Sequence, residues 1–196
     1  MIEGIILAAG YSSRVGENKM LLTYQGKPLI DHVIETMQKH VDHVFVVTGH
    51  YHQEISELYK NKKNITILYN RHYAQGMFSS VRLAVSKTQG DMMIVPGDMP
   101  VIFSSTYHEV KQTKKLIAVP IHNGKRGHPI YIHKSLRKAL LEEPPTSHLK
   151  AFRDKHDVDW IKVNDPGCIL DIDTKSDYQK LNTSLRSESI ENANDC

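Results

Sequence analysis

Apolar positions along this chain fall into two alternating patterns, short continuous runs and longer gapped stripes. Ile2–Ala8 (IEGIILA) is nearly all apolar, as in a strand covered on both faces of a sheet. Beyond a polar loop, Pro28 stands at a first helical position, and Leu29, Ile30, Val33, Ile34, Met37 and Val41 follow at helical spacing. His43–Thr48 reads as a second strand ended by Gly49. Tyr51, Ile55, Leu58 and Tyr59 form another helical stripe, and Ile65–Tyr69 is a third strand. A helix opening near Met77 turns Val81, Ala84 and Val85 inward, and a fourth strand over 91–95 stops at Pro96-Gly97. Strand and helix alternating with connections this short predict an α/β fold: a three-layer open sandwich around a mostly parallel sheet with right-handed crossovers.

Past residue 115 the pattern loosens. Residues 116–121 and 129–133 read as strands flanking the polar turn His122-Asn123-Gly124-Lys125-Arg126-Gly127. A helix over 136–141 breaks at Pro144-Pro145 and resumes near Ser147, and residues 158–163 and 168–172 read as two late strands. Thr174 with Asp177 three residues on is a weaker form of the capping box, with Tyr178, Leu181 and Leu185 as the buried stripe behind it. Residues 1–185 are expected to form one domain, and the polar, acidic tail 186–196 to be disordered.

Composition removes several function classes. With 40% hydrophobic and 24% charged residues, the 196-residue chain can bury a core and is not expected to be disordered overall. Lys and Arg (25) exceed Asp and Glu (22) by a formal +3, and no basic run concentrates the surplus, so nucleic acid is not an expected partner. No apolar stretch has the length of a membrane span, and the start of the chain does not read as a secretory leader. Cys168 and Cys196 cannot make a disulfide framework, which fits a cytoplasmic setting. None of the 12 histidines has the spacing with cysteine that zinc requires.

The segment from Leu7 to Lys19 (LAAGYSSRVGENK) leaves the first strand directly, so it lies at the carboxyl edge of the sheet, where open α/β folds bind ligands. Ala8, Ala9 and Gly10 allow a ligand close to the backbone, and Arg14 and Lys19 supply cations suited to phosphate oxygens. The alternative is an ordinary strand-to-helix loop with two solvated charges. Glu17 follows Gly16 where a Walker loop has Lys, and no G-x-G-x-x-G is present, which counts against nicotinamide and flavin chemistry.

This segment resembles the signature L-A-A-G-x-S-x-R-M-G-x-x-K of nucleotidyltransferases that activate a phosphate or sugar phosphate with an NTP, with Val15 at the usual Met. The resemblance continues through Val46-Val47-Thr48-Gly49-His50, the stretch 70–82 (NRHYAQGMFSSVR), Pro96-Gly97-Asp98-Met99-Pro100, the turn running into Gly127-His128-Pro129, and Ile169-Leu170-Asp171-Ile172-Asp173-Thr174. The set is similar to the molybdenum cofactor cytidylyltransferases, more so than to the related guanylyltransferases. It implies a Rossmann-like nucleotidyltransferase fold and Mg²⁺-dependent transfer of CMP from CTP to molybdenum cofactor, releasing pyrophosphate. A molybdenum hydroxylase receiving the product is the implied protein partner. GTP or another phosphate acceptor, or a non-catalytic cofactor carrier, are the competing readings.

On this resemblance Arg14, Lys19 and Asp98 are the catalytic candidates, and Leu7, Ala8, Ala9, Gly10 and Ser80 the nucleotide-binding ones. Asp98, just past the fourth strand, is placed to hold Mg²⁺, a hard cation that prefers oxygen; the alternative is a turn or cap aspartate. Asp171 and Asp173 fall on one face of the strand predicted there, where either carboxylate could complete the metal site or position substrate; Asp173 is taken as the second metal ligand and Asp171 toward substrate, unless Asp173 merely ends an element beside Thr174. Ser79 and Ser80 open a helix, Ser80 either near the nucleobase or as a plain helix cap. His128 is read as a contact to the acceptor's phosphate or as filler of a surface turn, and Cys168 as a buried residue rather than a nucleophile.

Overall fold

A computed structural model describes residues 1–183. In chain order the elements begin with β1 (Ile2–Ala8), the small hairpin β2 (Thr23–Tyr24) and β3 (Lys27–Pro28), α1 (Leu29–Gln38), β4 (His43–Thr48), α2 (His52–Tyr59) and β5 (Ile65–Tyr69). They continue with α3 (Met77–Lys87), β6 (Asp91–Pro96), α4 (Ser104–Lys111), β7 (Ile117–His122), β8 (Lys125–Arg126) and β9 (Ile130–Ile132). Last come α5 (Arg137–Glu142), α6 (Leu149–Arg153) and β10 (Val158–Lys162), then a helix described over 175–183.

The main sheet runs β10-β7-β9-β6-β1-β4-β5, with β8 added to β7. Strands β6, β1, β4 and β5 are mutually parallel, as is the pair β10 and β7, while β9 runs antiparallel between β6 and β7. Alternation along β1 feeds both faces. Ile6 and Ala8 pack with α1, α2 and α4, and Ile5 and Leu7 with α3, α5 and α6, giving the three layers. Ile5 and Ile6 are fully buried, each contributing about 1.5–3 kcal/mol of apolar burial. From β1 the chain turns to β4 on one side and later returns to β6 on the other, so a crevice opens where their carboxyl ends diverge. No helix among the described residues is long and apolar enough to cross a membrane.

Several local expectations are corrected. Pro28 precedes α1 rather than starting it, because its extended ψ of 144° lets it pair with Thr23 in the hairpin. Helix α1 ends at Gln38, and Val41 reaches the core from the loop beyond. Residues 168–172 form no strand. Asp165 caps a short 3₁₀ turn, Pro166–Ile169, by accepting from Gly167 N, and the chain then runs extended, with Ile172 N donating to Asp98 O at 3.0 Å instead of joining a ladder. Helix α4 was not foreseen. The reciprocal Thr174–Asp177 cap is present: Asp177 N donates to Thr174 Oγ1 at 3.1 Å and Thr174 N to Asp177 Oδ2 at 2.8 Å. Leu185 and the tail 186–196 lie outside the described residues.

Candidate active site

The loop after β1 is shaped by its own backbone. Ser12 takes a φ of 51°, and its carbonyl accepts from Val15 N and Gly16 N. Gly16 sits at φ 83°, a left-handed position that favours glycine. Val15 is buried and pegs the loop to the body. Asn18 then caps a 3₁₀ turn, Lys19–Leu21, and Ser12 Oγ accepts from Lys19 N at 3.3 Å. This fixes where the Lys19 side chain leaves the loop.

Lys19 Nζ donates to Asp98 Oδ2 at 2.5 Å and to Asp173 Oδ1 at 2.7 Å. Arg14, largely exposed, reaches Asp173 Oδ2 at 3.3 Å. The fold thus unites residues 79 and 154 positions apart from Lys19. Asp98 is carried on the turn after β6, which Gly97 N ties to Leu7 O at 2.9 Å. Burial opposes the Lys19 charge, but the Asp98 charge and the hydrogen bonds to Asp173 and Asp98 outweigh it and hold the ammonium's pKa above its ordinary value.

Asp98 Oδ1 is buried with no hydrogen-bond partner. A carboxylate oxygen stranded in this way is costly unless something cationic takes it, so the residues fit a hard divalent cation held by Asp98 and Asp173. No group of three or more His, Cys, Asp or Glu side chains among the described residues forms a metal cage, so the remaining ligands would be phosphate oxygens and water.

Two cavities meet here. A cleft of about 480 Å³ is lined by Lys19, Asp98, Asp171, Asp173, Arg126 and His128 among others, and a smaller one of about 300 Å³ by Ala9, Tyr11, Tyr73 and Ser80. Leu7, Gly10 and Met77 line both, so the two form one continuous groove. Ala8 instead turns its methyl into the core beside Ile6. Ser80 is no helix cap, because Gly76 holds the cap position of α3. Its buried hydroxyl accepts from Asn70 Nδ2 at 2.9 Å, and the same amide reaches Ser79 Oγ at 2.8 Å. Asn70 was not singled out in the sequence; the signal was a polar residue at the mouth of β5, where a side chain can face the crevice.

Asp171 lies exposed on the extended stretch and lines the charged cleft from the acceptor side. His128 is partly buried, and burial pushes its pKa down to about 4. Its Nδ1 faces the Ile94 carbonyl at 3.4 Å, which can only accept, so Nδ1 carries the proton and Nε2 is an unprotonated acceptor. Cys168 is buried and its thiol is pushed up to about 11, which excludes a thiolate nucleophile. Arg126 was passed over within its turn, yet the structure puts it in the cleft wall.

Residues 4–159 match the family described as MobA-like NTP transferase domain. The molybdenum cofactor cytidylyltransferase of Escherichia coli K12 is 33% identical over 179 residues, covering 90% of this chain and 93% of its own length. Among solved structures, a nucleotidyl transferase from Methanothermobacter (Mth528) superposes with a TM-score of 0.82 at 19% identity, covering 95% of this chain and 99% of that one. Rv0371c of Mycobacterium tuberculosis H37Rv, solved in complex with manganese, superposes with a TM-score of 0.75 at 19% identity, covering 93% and 98%. These two share the fold.

Proposed function

From a chain that belongs to the MobA-like NTP transferase family, and is therefore a nucleotidyltransferase, we propose the transfer of CMP from CTP to the terminal phosphate of molybdenum cofactor. The products are molybdopterin cytosine dinucleotide and pyrophosphate. The observation that carries this reading is the Lys19–Asp98–Asp173 cluster, with its stranded Asp98 oxygen, at the junction of a base-sized cavity and a larger acceptor cleft.

In the reaction an acceptor phosphate oxygen attacks the α-phosphorus of CTP in line, the bond to the β-phosphate oxygen breaks, and pyrophosphate leaves. The attacking oxygen is already ionised, so the protein needs no nucleophile of its own and acts by positioning and charge. The 300 Å³ cavity, walled by Ala9 and Ser80 and bordered by Leu7 and Gly10, receives the nucleobase. Arg14 and Lys19 neutralise the charge that builds on pyrophosphate, exchanging Asp173 and Asp98 for phosphate oxygens. Asp98 and Asp173 would hold Mg²⁺, which when bound withdraws charge from the phosphate oxygens and completes the coordination of the stranded carboxylate. Asp171 and the Nε2 of His128 orient donors on the acceptor. The manganese in the mycobacterial Rv0371c structure is a precedent for a divalent cation in this fold. Nothing on the described surface points to the molybdenum hydroxylase implied by the sequence resemblance, and the proposal stops at the released dinucleotide.

Incubation with molybdenum cofactor and each NTP in turn, with Mg²⁺ or with a chelator, tests this directly. Pyrophosphate and a product heavier by CMP are expected from CTP with Mg²⁺ alone. Cofactor binding without pyrophosphate release would make the protein a carrier and overturn the reading.

A further inference from the structure

The acceptor end of the cleft has a charge problem that the residues considered so far do not solve. Asp98, Asp171 and Asp173 all line it, while Lys19 is held between two of them, Arg14 is bound to the third-named, and His128 is uncharged at neutral pH. A phosphate bound for the α-phosphorus must enter against these carboxylates. Like charges at such a site repel, so a cation at the entry matters.

Arg126 stands at that position. Strand β8 pairs Arg126 with Ile121 on one side of β7, and β10 pairs Trp160 with Val119 on the other. Positions two apart on a strand share a face, so the two side chains meet diagonally across β7. The guanidinium carbon lies over the Trp160 ring, 4.4 Å from its centroid. Arg153 lies over the same ring at 5.3 Å and binds Asp154 through Nε at 2.9 Å and Nη2 at 2.7 Å. Asp154 also pairs with Arg126, whose Nη1 lies 3.7 Å from Asp154 Oδ1. The ring contact and the Asp154 pair hold Arg126 in the wall of the cleft that it lines.

We propose that Arg126, braced by Trp160, binds the phosphate monoester of the acceptor and presents it to the α-phosphorus. This deepens the cytidylyl-transfer reading and rests on it for the identity of the acceptor. Arg126 is then a substrate-binding residue, and Trp160 a positioning residue acting through it.

Trp160 is the sole tryptophan of the chain, so its emission reports on this one site. Inorganic phosphate titrated into the native protein is expected to change that emission saturably, and Arg126→Gln to abolish the response. In steady-state assays Arg126→Gln should raise the acceptor KM by about tenfold to a hundredfold, the range for losing a charge-assisted hydrogen bond, with the CTP KM unchanged. Trp160→Leu should raise the acceptor KM by only about threefold, and Trp160→Phe should restore it, because a phenyl face still braces the guanidinium. A merely structural role for the stack would move both KM values together. The proposal is overturned if Arg126→Gln keeps the phosphate response or leaves the acceptor KM unchanged. Should molybdenum cofactor prove not to be the acceptor, the turnover arm fails with the functional reading, and the phosphate titration still decides the role of Arg126.

Discussion

On the proposed nucleotide side of the cleft, the candidate side chains leave the carboxyl ends of parallel strands or the turns and helices that follow. Lys19 follows β1, Asn70 follows β5, Ser80 lies in the first turn of α3 and Asp98 follows β6. The acceptor side is assembled otherwise, from the β8 turn and an extended stretch, 170–173, that crosses back without joining the sheet. In the first wall Asn70 and Asp98 lie within two residues of a strand end, while Lys19 sits in the turn that Asn18 caps and Ser80 is held by the Asn70 amide. The second wall rests on backbone-to-backbone approach: His128 N donates to Cys168 O at 2.8 Å, and Ile172 N to Asp98 O at 3.0 Å. One side of the site is thus specified by local periodicity and the other by close packing of distant segments.

The largest expected effect breaks the site where the two walls meet. Asp98→Ala removes the stranded oxygen and half the grip on Lys19, and should lower the turnover rate by at least about 10³-fold, several kcal/mol of barrier. Thermal unfolding should change little, since Lys19 keeps Asp173 as a partner. Near-native turnover at limiting Mg²⁺ would remove Asp98 from the metal.

Next come the cations of the first wall. Lys19→Met and Arg14→Ala should each cost about 10²-fold in rate, and less than the product when combined, because both serve one leaving group. The two differ in stability. Lys19 is buried between its carboxylates and Arg14 is largely exposed, so only Lys19→Met should lower Tm in chelator, and Mg²⁺ should restore it by neutralising the same carboxylates. Equal Tm values for the two variants in chelator would sharpen the comparison against buried pairing.

The same division decides what was legible in the sequence. Elements β1, α1, β4, α2, β5, α3 and β6 followed from hydrophobic period because each buries a face set by its own residues. Helix α4 escaped because its buried set is Thr106, Tyr107 and Val110, too few and too polar to form a stripe. The strand predicted over 168–172 failed because Cys168, Leu170 and Ile172 alternate as a strand would, while the Asp165 cap at Pro166 imposes a turn first. The candidates Arg14, Lys19, Asp98 and Asp173 were visible as motif residues, but their mutual contact is tertiary and could not be read from spacing. Arg126 was hidden because its meaning depends on Trp160, which lies across β7 in a strand of its own.

A smaller effect tests the packed wall. A Cβ at Gly127 would lie 2.3 Å from Cys168 O, a backbone atom that cannot rotate away. Gly127→Ala should therefore cost about 1–3 kcal/mol of stability by denaturant unfolding and raise the acceptor KM more than the CTP KM. Comparable shifts in both constants would show that the walls are not independent. His128 adds a pH signature to the same wall. Its folded pKa of about 4 lies below the ordinary 6.5, so the unfolded chain takes up the proton first. Its contribution is complete above pH 6.5 and is lost as pH falls from 6.5 towards 4. In His128→Asn the urea midpoint should fall less steeply across that window.

The smallest effect concerns nucleotide choice, which belongs to the locally specified wall. Ala9, Tyr73, Gly76 and Ser80 all line the 300 Å³ cavity. Ala9 is nearly buried, and its carbonyl accepts from His50 N at 3.4 Å, so the residue is tied in place and its methyl is a fixed part of the wall. A one-ring base needs less of this space than a two-ring base, and a rigid wall excludes the larger more firmly than it holds the smaller. CTP should therefore be used well and GTP poorly, as judged by kcat/KM measured side by side. Ala9→Gly should relax that preference by no more than about tenfold, the lower end of what a single methyl group contributes to discrimination. The gain should appear in the GTP constant, with CTP nearly unchanged, because removing the methyl adds room without removing a contact that cytosine needs. Equal kcat/KM for the two nucleotides in the native protein would mean that the base is chosen outside this cavity, and would leave the chemistry proposed for Lys19, Asp98 and Asp173 untouched.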